Sequence, residues 1–211
     1  MTFPATATIA ALFAAVPSGW AAARVARRCA EDATPPSTAL VMLATVAVFA
    51  WAALTVSENW VLAVSLALGW TLVCLTAVDL VCLRLPDPLT LPLIAAGLAV
   101  SLALPGRPIL DHLAGAAAGY AVLAALAWAF RWFRGVEGVG LGDAKLLAAA
   151  GAWLGWRLLP SVLLIACVAA FVWIAVSVVL RGWGVARGPI AFGAPLCLAF
   201  WVVWLGGPLT P

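Results

Sequence analysis

The sequence predicts an all-α fold, a polytopic bundle of membrane-spanning helices. Of its 211 residues, 66% are hydrophobic and only 9% are charged, with a mean hydropathy of +1.16. Soluble domains carry roughly 25% charged residues, so this composition excludes a water-soluble globule and a disordered chain. The apolar runs are rich in Ala and Leu and lack period-two alternation, which argues against strands. The 11 basic residues are scattered and form no basic patch, which excludes a nucleic-acid partner.

Charge-free stretches divide the chain into about eight helical segments, since ~20 residues cross a ~30 Å hydrocarbon core. Most of these stretches are long enough to span a bilayer, and we interpret residues 1–211 as a single integral membrane domain. The predicted helices lie near residues 5–24, 38–56, 60–79, 88–104, 112–131, 142–157, 160–180 and 190–207.

One apolar run is too short to span a membrane alone. It covers residues 146–156, so its helix must include Lys145 and Asp143 at one end or Arg157 at the other. Extension toward Asp143 draws a carboxylate to membrane depth, which is costly and suggests a functional reason.

The charges predict the orientation, because alternating loops place nine basic residues on one face and two on the other. The positive-inside rule puts the larger group in the cytoplasm and the N-terminus outside. No positive segment precedes the first apolar run, which argues against a cleaved signal peptide. The cytoplasmic basic residues are Arg24, Arg27, Arg28, Arg84, Arg131, Arg134, Lys145, Arg181 and Arg187, and the outer ones are Arg107 and Arg157. The same parity places Asp79, Asp87, Glu137 and Asp143 in the cytoplasm, and Glu58, Asp111 and His112 outside.

Metal and cofactor chemistry finds no support in the sequence. The five cysteines form no CxxC pair and His112 is the single histidine, so no zinc site can be built. We therefore expect no metal and no cofactor. Because His112 is predicted to lie on the face opposite Asp79 and Asp143, we expect it to be structural.

Two carboxylates are candidates for chemistry, since Asp79 and Asp143 both lie at predicted cytoplasmic helix ends. Two nearby carboxylates do not both ionise easily, so one keeps a proton and the other can act as a base. Asp143 opens a helix, where capping is the alternative explanation. Asp79 closes one, where the helix dipole disfavours a carboxylate. The glycines at 138, 140 and 142 predict strained turns before Asp143 that let a peptide approach.

These residues stand within motifs that resemble those of the type IV prepilin peptidase family, a family of polytopic aspartic peptidases. The resemblance covers about residues 60–207. Its motifs are Asp79 followed after six residues by Pro86-Asp87, then Gly140-Leu-Gly-Asp-Ala-Lys-Leu-Leu147, and the closing segment Gly188-Pro-Ile-Ala-Phe-Gly-Ala-Pro-Leu196.

The resemblance implies that Asp79 and Asp143 are the catalytic pair of a bacterial inner-membrane endopeptidase, with membrane lipid around it. Gly140 and Gly142 belong to the second motif. Asp87 and Lys145 match recurring motif positions, and the alternative explanations are a turn residue between two prolines for Asp87 and an interfacial snorkelling charge for Lys145. The implied substrate is a prepilin or pseudopilin of type IV pilus or type II secretion systems. Its short basic leader is cut on the cytoplasmic side, next to a glycine that precedes an apolar helix.

The N-terminal part departs from the family pattern. Full-length members resemble bifunctional enzymes whose cytoplasmic domain carries two CxxC pairs and is tied to N-methylation. Here the loop from about 24 to 38 holds only Cys29, so we expect no N-methyltransferase activity. Residues 1–59 are interpreted as divergent N-terminal helices.

Two other classes of function compete with this interpretation. The presenilin and signal-peptide-peptidase class shares Gly-x-Gly-Asp but pairs it with Tyr-Asp and Pro-Ala-Leu, which this sequence lacks. A transporter, a pilus or secretion assembly component, or a degenerate family member would use the carboxylates for binding or not at all.

Overall fold

The computed structural model describes residues 5–29, 36–104, 106–134, 140–182 and 191–207. The regular structure of these residues is helical, which confirms the all-α prediction. The elements are α1 (Ala5–Cys29), α2 (Thr38–Thr55), α3 (Asn59–Cys82), α4 (Asp87–Ala103), α5 (Ile109–Arg134), α6 (Leu141–Leu154), a 3-10 turn (Trp156–Leu158), α7 (Leu159–Arg181) and α8 (Gly193–Gly206).

Two predicted helix ends near the site are wrong. The predicted end of α3 at residue 79 is too early, because the helix continues to Cys82 and stops where Leu83 adopts left-handed geometry at φ 51°. Asp79 therefore lies in the last turn, and its carbonyl accepts the N–H of Leu83 at 2.9 Å. The predicted end of the sixth helix at residue 157 is too late, since α6 stops before Gly155, where φ is 79°.

The apolar length of the helices fits a membrane protein. Within the part of the chain that the structure describes, four spans are long and apolar enough to cross a bilayer, and α4 and α8 are shorter apolar helices. The number of crossings and the side of the N-terminus stay predictions, as does the single domain over residues 1–211. The four candidate spans are Thr38–Thr55, Asn59–Cys82, Ile109–Phe133 and Trp156–Arg181.

Helix α6 forms the centre of the C-terminal helices. It packs against α4, α5, α7 and α8, and its residues 146–154 are all buried. The helix includes Asp143 and Lys145 and stops before Arg157. At ~1.5 Å per residue, 14 residues measure about 21 Å, shorter than a hydrocarbon core. This enclosed short helix brings Asp143 into the bundle.

Small residues allow α5 and α6 to pack with their backbones in contact. A Cβ added to Gly151 would lie 2.1 Å from the carbonyl oxygen of Gly115, and one added to Gly119 would lie 2.5 Å from that of Leu147. Membrane helices lack a hydrophobic driving force between them and rely on such close packing. The glycines thus fix the position of α6 against α5.

A tryptophan at the far end of α6 ties three helices together. The indole Nε1 of Trp153 donates to the carbonyl of Leu93 on α4 at 2.8 Å. Its ring meets Phe200 and Trp204 of α8 edge-on, with centroids 6.4 and 5.2 Å away. Trp204 in turn donates to Ser65 Oγ on α3 at 2.9 Å. The contacts hold α3, α4, α6 and α8 in one frame.

The N-terminal helices α1 and α2 pack against each other and against α3. Trp70 of α3 donates its indole N–H to the carbonyl of Ser18 on α1 at 2.9 Å. Helix α3 also packs against α8, so it joins the N-terminal helices to the C-terminal group and carries Asp79 between them.

Candidate active site

Asp79 lies where the end of α3 meets the start of α8. The residue is only 4% exposed, and the backbone N–H of Ala194 donates to its Oδ2 at 2.9 Å. The neighbouring N–H of Gly193 acts on the same carboxyl. The N–H of Ala194 therefore links the end of α3 to the start of α8, a helix distant in sequence, and it offsets part of the cost of burying this carboxyl.

The contact between Asp79 and the start of α8 requires a glycine. A Cβ built on Gly193 would lie 2.8 Å from Asp79 Oδ2, closer than such contacts allow. Gly193 and Ala194 were not among the predicted site residues. The signal was present in the sequence, because both stand in the closing segment Gly188–Leu196. Residues 183–190, which include the start of that segment, lie outside the described structure.

Asp143 lies in the first turn of α6, outside the four candidate spans. Burial and, next, the negative charge of Asp79 raise the pKa of the Asp143 carboxyl to about 7. Among the described residues, none donates a hydrogen bond to this carboxyl. Asp143 is therefore protonated in a much larger fraction of molecules at neutral pH than an exposed aspartate would be.

The two carboxyls lie close enough to interact electrostatically, although the residues are 64 positions apart in the sequence (143 − 79). The charge of Asp79 acts on Asp143, and both carboxyls act on the thiol of Cys197 in α8. Both carboxyls are largely removed from water, but backbone N–H groups face Asp79, whereas none of the described residues donates a hydrogen bond to Asp143. Such a pair can hold one proton between two groups, as a general acid and a general base require.

The motif glycines act differently from the prediction. Strained turns at Gly140 and Gly142 are not observed, since Gly140 has φ −74° and Gly142 lies within α6. Instead, a Cβ on Gly142 would lie 3.0 Å from Leu85 Cβ, so this glycine lets α6 approach the segment after α3. The space beside Gly140 is open, and a Cβ added there would lie 3.9 Å from Asp143 Oδ2. Gly138 lies outside the described residues.

Asp87 and Lys145 form an ion pair beside the site. Lys145 Nζ lies 2.5 Å from Asp87 Oδ1, with the two side chains 26% and 54% exposed. The pair joins the first turn of α4 to the first turn of α6, which carries Asp143. Neither simple alternative, a turn residue or an unpaired snorkelling charge, accounts for this contact.

His112 lies at the opposite end of α6 from Asp143. Its Nδ1 lies 2.9 Å from the carbonyl oxygen of Ala152, and the residue is 4% exposed. Nine residues separate Asp143 from Ala152 along α6, or about 14 Å at ~1.5 Å per residue. The structure thus keeps His112 away from the two carboxyls. Within the described ranges, no cluster of His, Cys, Asp and Glu could hold a metal ion.

In a comparison with known protein families, the model of the type IV leader peptidase family matches residues 66–175 of this chain. The chain belongs to the type IV leader peptidase family. The matched region contains both Asp79 and Asp143, so the site lies within the family's own segment. The family match also decides against the presenilin class.

Curated relatives agree with the family match. The chain is 44% identical over 168 residues to a prepilin leader peptidase/N-methyltransferase of Aeromonas salmonicida, covering 80% of this chain and 57% of the relative. A protein of the same name from Aeromonas hydrophila is 45% identical over 169 residues, covering 80% and 58%. One from Klebsiella pneumoniae is 43% identical over 143 residues, covering 68% and 63%. The chain thus spans about six-tenths of the length of these relatives, and no solved structure matches it.

Proposed function

We propose that this protein is a membrane-embedded aspartic endopeptidase that cleaves the short basic leader of type IV prepilins or pseudopilins. The proposal rests on one observation. Asp79 and Asp143 lie near each other at one end of the bundle, and a backbone N–H group donates to the first but not to the second among the described residues. The family match supports this substrate class, since the relatives are named prepilin leader peptidases. The counts of basic residues support a reaction on the cytoplasmic face, and we propose that the membrane is a bacterial inner membrane.

We propose a different role for each carboxyl. Asp79, which accepts the N–H of Ala194, is the proposed base and takes a proton from the attacking water. Asp143, which receives no hydrogen bond from the described residues, is the proposed acid and gives a proton to the scissile carbonyl oxygen. Water oxygen bonds to the carbonyl carbon and forms a neutral diol. The C–N bond then breaks, the Asp79 proton passes to the leaving nitrogen, and a proton from the diol returns to Asp143.

The proposal includes a single activity. The relatives' names include N-methyltransferase, but the loop from about 24 to 38 contains no CxxC pair. We therefore propose that this protein does not methylate the N-terminus that cleavage creates on the substrate.

The experiment is cleavage of a membrane-inserted reporter by the purified protein. The reporter carries a basic leader, a glycine and an apolar helix of about 20 residues, long enough to span a bilayer. Asp79→Asn and Asp143→Asn each remove one carboxyl with little change in volume, and both should abolish cleavage. The matched control is Asp111→Asn, which changes a carboxyl at the opposite end of α6 and should cut the reporter normally. Cleavage by either Asn variant of the pair contradicts the proposal.

A further inference from the structure

A cleft opens on the side of the bundle and is lined at one end by Leu80 and Ala194, the neighbours of Asp79 in sequence and in hydrogen bonding. Helix α7 packs on α6, α8 and the 3-10 turn, but not extensively on α2 or α3. The resulting gap, here named the lateral cleft, measures about 350 Å³. Its walls include Ala44 of α2, Leu80 of α3, and Ala169 and Trp173 of α7, and α8 forms its floor with Trp201.

The lining of the lateral cleft is apolar. Within the described residues it contains no charged side chain, and its one hydroxyl belongs to Thr76. Trp173 and Leu80 are 59% and 48% exposed, so the cleft faces outward from the bundle. A surface of this kind, between candidate membrane spans, faces lipid and fits an apolar segment that lies in the membrane.

The cleft and the catalytic pair share structural elements. Thr76 and Leu80 lie within one turn of Asp79 on α3, and Ala194, which lines the cleft, donates the N–H that binds Asp79. One end of the cleft therefore lies next to the residues that hold Asp79. A lipid chain in the cleft has no bond for the enzyme to cut. A peptide with its apolar segment in the cleft has the adjoining peptide bond beside the reacting residues.

The dimensions of the cleft fit a helix. Along α3 the lining runs from Gly69 to Leu80, which at ~1.5 Å per residue is about 16 Å, or three helical turns. Small residues at Ala44 and Ala169 leave room for a helix backbone to approach. At the floor, Trp201 is 3% exposed and its indole N–H has no acceptor among the described residues. An occupant with an acceptor at this depth would satisfy that group.

We infer that the lateral cleft binds the apolar helix of the substrate, about three turns of it directly beside the scissile bond. This inference rests on the proposed function. In this inference, the enzyme selects its substrate by packing of the substrate helix in the cleft as well as by the leader sequence. The enzyme then accepts peptides that enter sideways from the bilayer as helices, with the bond to be cut at the helix end.

Photo-crosslinking tests the inference. A benzophenone amino acid replaces Trp173 in the cleft or, as a control, Trp128 on α5, and both native side chains are 59% exposed. Both proteins carry Asp143→Asn so that the reporter stays whole. We expect a reporter adduct from position 173 and none from 128. Equal adducts, or only phospholipid adducts from position 173, overturn the inference.

A blocking variant supplies a second measurement. Ala169→Trp fills the cleft, and Ala125→Trp adds the same bulk on the exposed face of α5. Ala169→Trp should lower reporter cleavage at least about tenfold, while Ala125→Trp leaves it within about twofold. Unchanged cleavage by Ala169→Trp overturns the inference. Failure of the proposed function is a different result, because the unsubstituted enzyme then leaves the reporter uncut.

Discussion

At the end of α3, the carboxyl of Asp79 stands where its own helix dipole disfavours negative charge, and the start of α8 supplies the compensation. The N–H of Ala194 donates to Oδ2 at 2.9 Å, and Gly193 leaves the space for this contact. The carboxyl therefore binds the start of α8 and, in the proposed function, also acts as the base. The residue that makes this possible is a glycine with no chemistry of its own.

This contact predicts the effect of a single methyl group. In Gly193→Ala, the new Cβ falls 2.8 Å from Asp79 Oδ2 and displaces the carboxyl. A displacement near 1 Å costs on the order of 100-fold in rate, and we expect a loss of that size in reporter cleavage. Gly206→Ala, on the same helix, meets nothing within 4 Å and serves as the control. Full activity of Gly193→Ala would remove the positioning role from this glycine.

Burial of Asp143 predicts a conflict between stability and activity. The folded-state pKa is about 7, raised from 3.8. As pH rises from about 4 to 7, the unfolded state loses this proton first, so the Asp143 contribution to folding stability falls over that window and then levels off. Asp143→Asn lacks the titration. It should therefore melt at a higher temperature than the wild type at pH 8, and at a similar temperature at pH 4. The reverse order at pH 8 would contradict the burial argument.

At the scale of elements, two helix starts are joined beside the site. Asp87 begins α4, Lys145 lies in the first turn of α6, and their ion pair is partly exposed. Exposed pairs contribute only ~0.2–1 kcal/mol to stability. Loss of this ion pair should therefore change the position of Asp143 more than the stability of the fold.

A double-mutant cycle measures this coupling. Asp87→Asn and Lys145→Gln should each lower reporter cleavage several-fold with little change in melting temperature. Because both break one contact, the double variant should be no slower than the slower single variant. Losses that multiply in the double variant would indicate two independent roles.

Sequence patterning predicts most of these elements, since apolar runs near 160–180 and 38–56 became α7 and α2 within one residue at each end. The ends of α3 and α6 are set by backbone geometry at Leu83 and Gly155, which hydropathy does not report. Length alone left two extensions of the sixth helix open, toward Asp143 or toward Arg157, and the structure shows the first. The expectation of a strained turn at Gly142 was wrong. This glycine lies within α6, where it allows close packing against Leu85.

At the scale of the whole molecule, the sequence identified both carboxyls but not their surroundings. Asp79 and Ala194 are 115 residues apart, and only the packing of α3 against α8 brings them together. The lateral cleft has the same origin, since it is a gap between α7 and the N-terminal helices rather than a motif. Local sequence patterns do not predict long-range packing of this kind. The motifs therefore identify the candidate catalytic residues, and the packing of the bundle determines access to them.

The central claim is that Asp79 and Asp143 act as one unit that cuts a prepilin-like peptide. Its most direct test is the cleavage rate of the reporter by the wild type, Asp79→Asn, Asp143→Asn and the double variant, each confirmed to insert and fold. Residues that act as a unit show non-additive losses. We predict that both single variants fall to the same residual rate as the double variant. A single variant that still cuts well above that rate, or a further large loss in the double variant, would contradict the account.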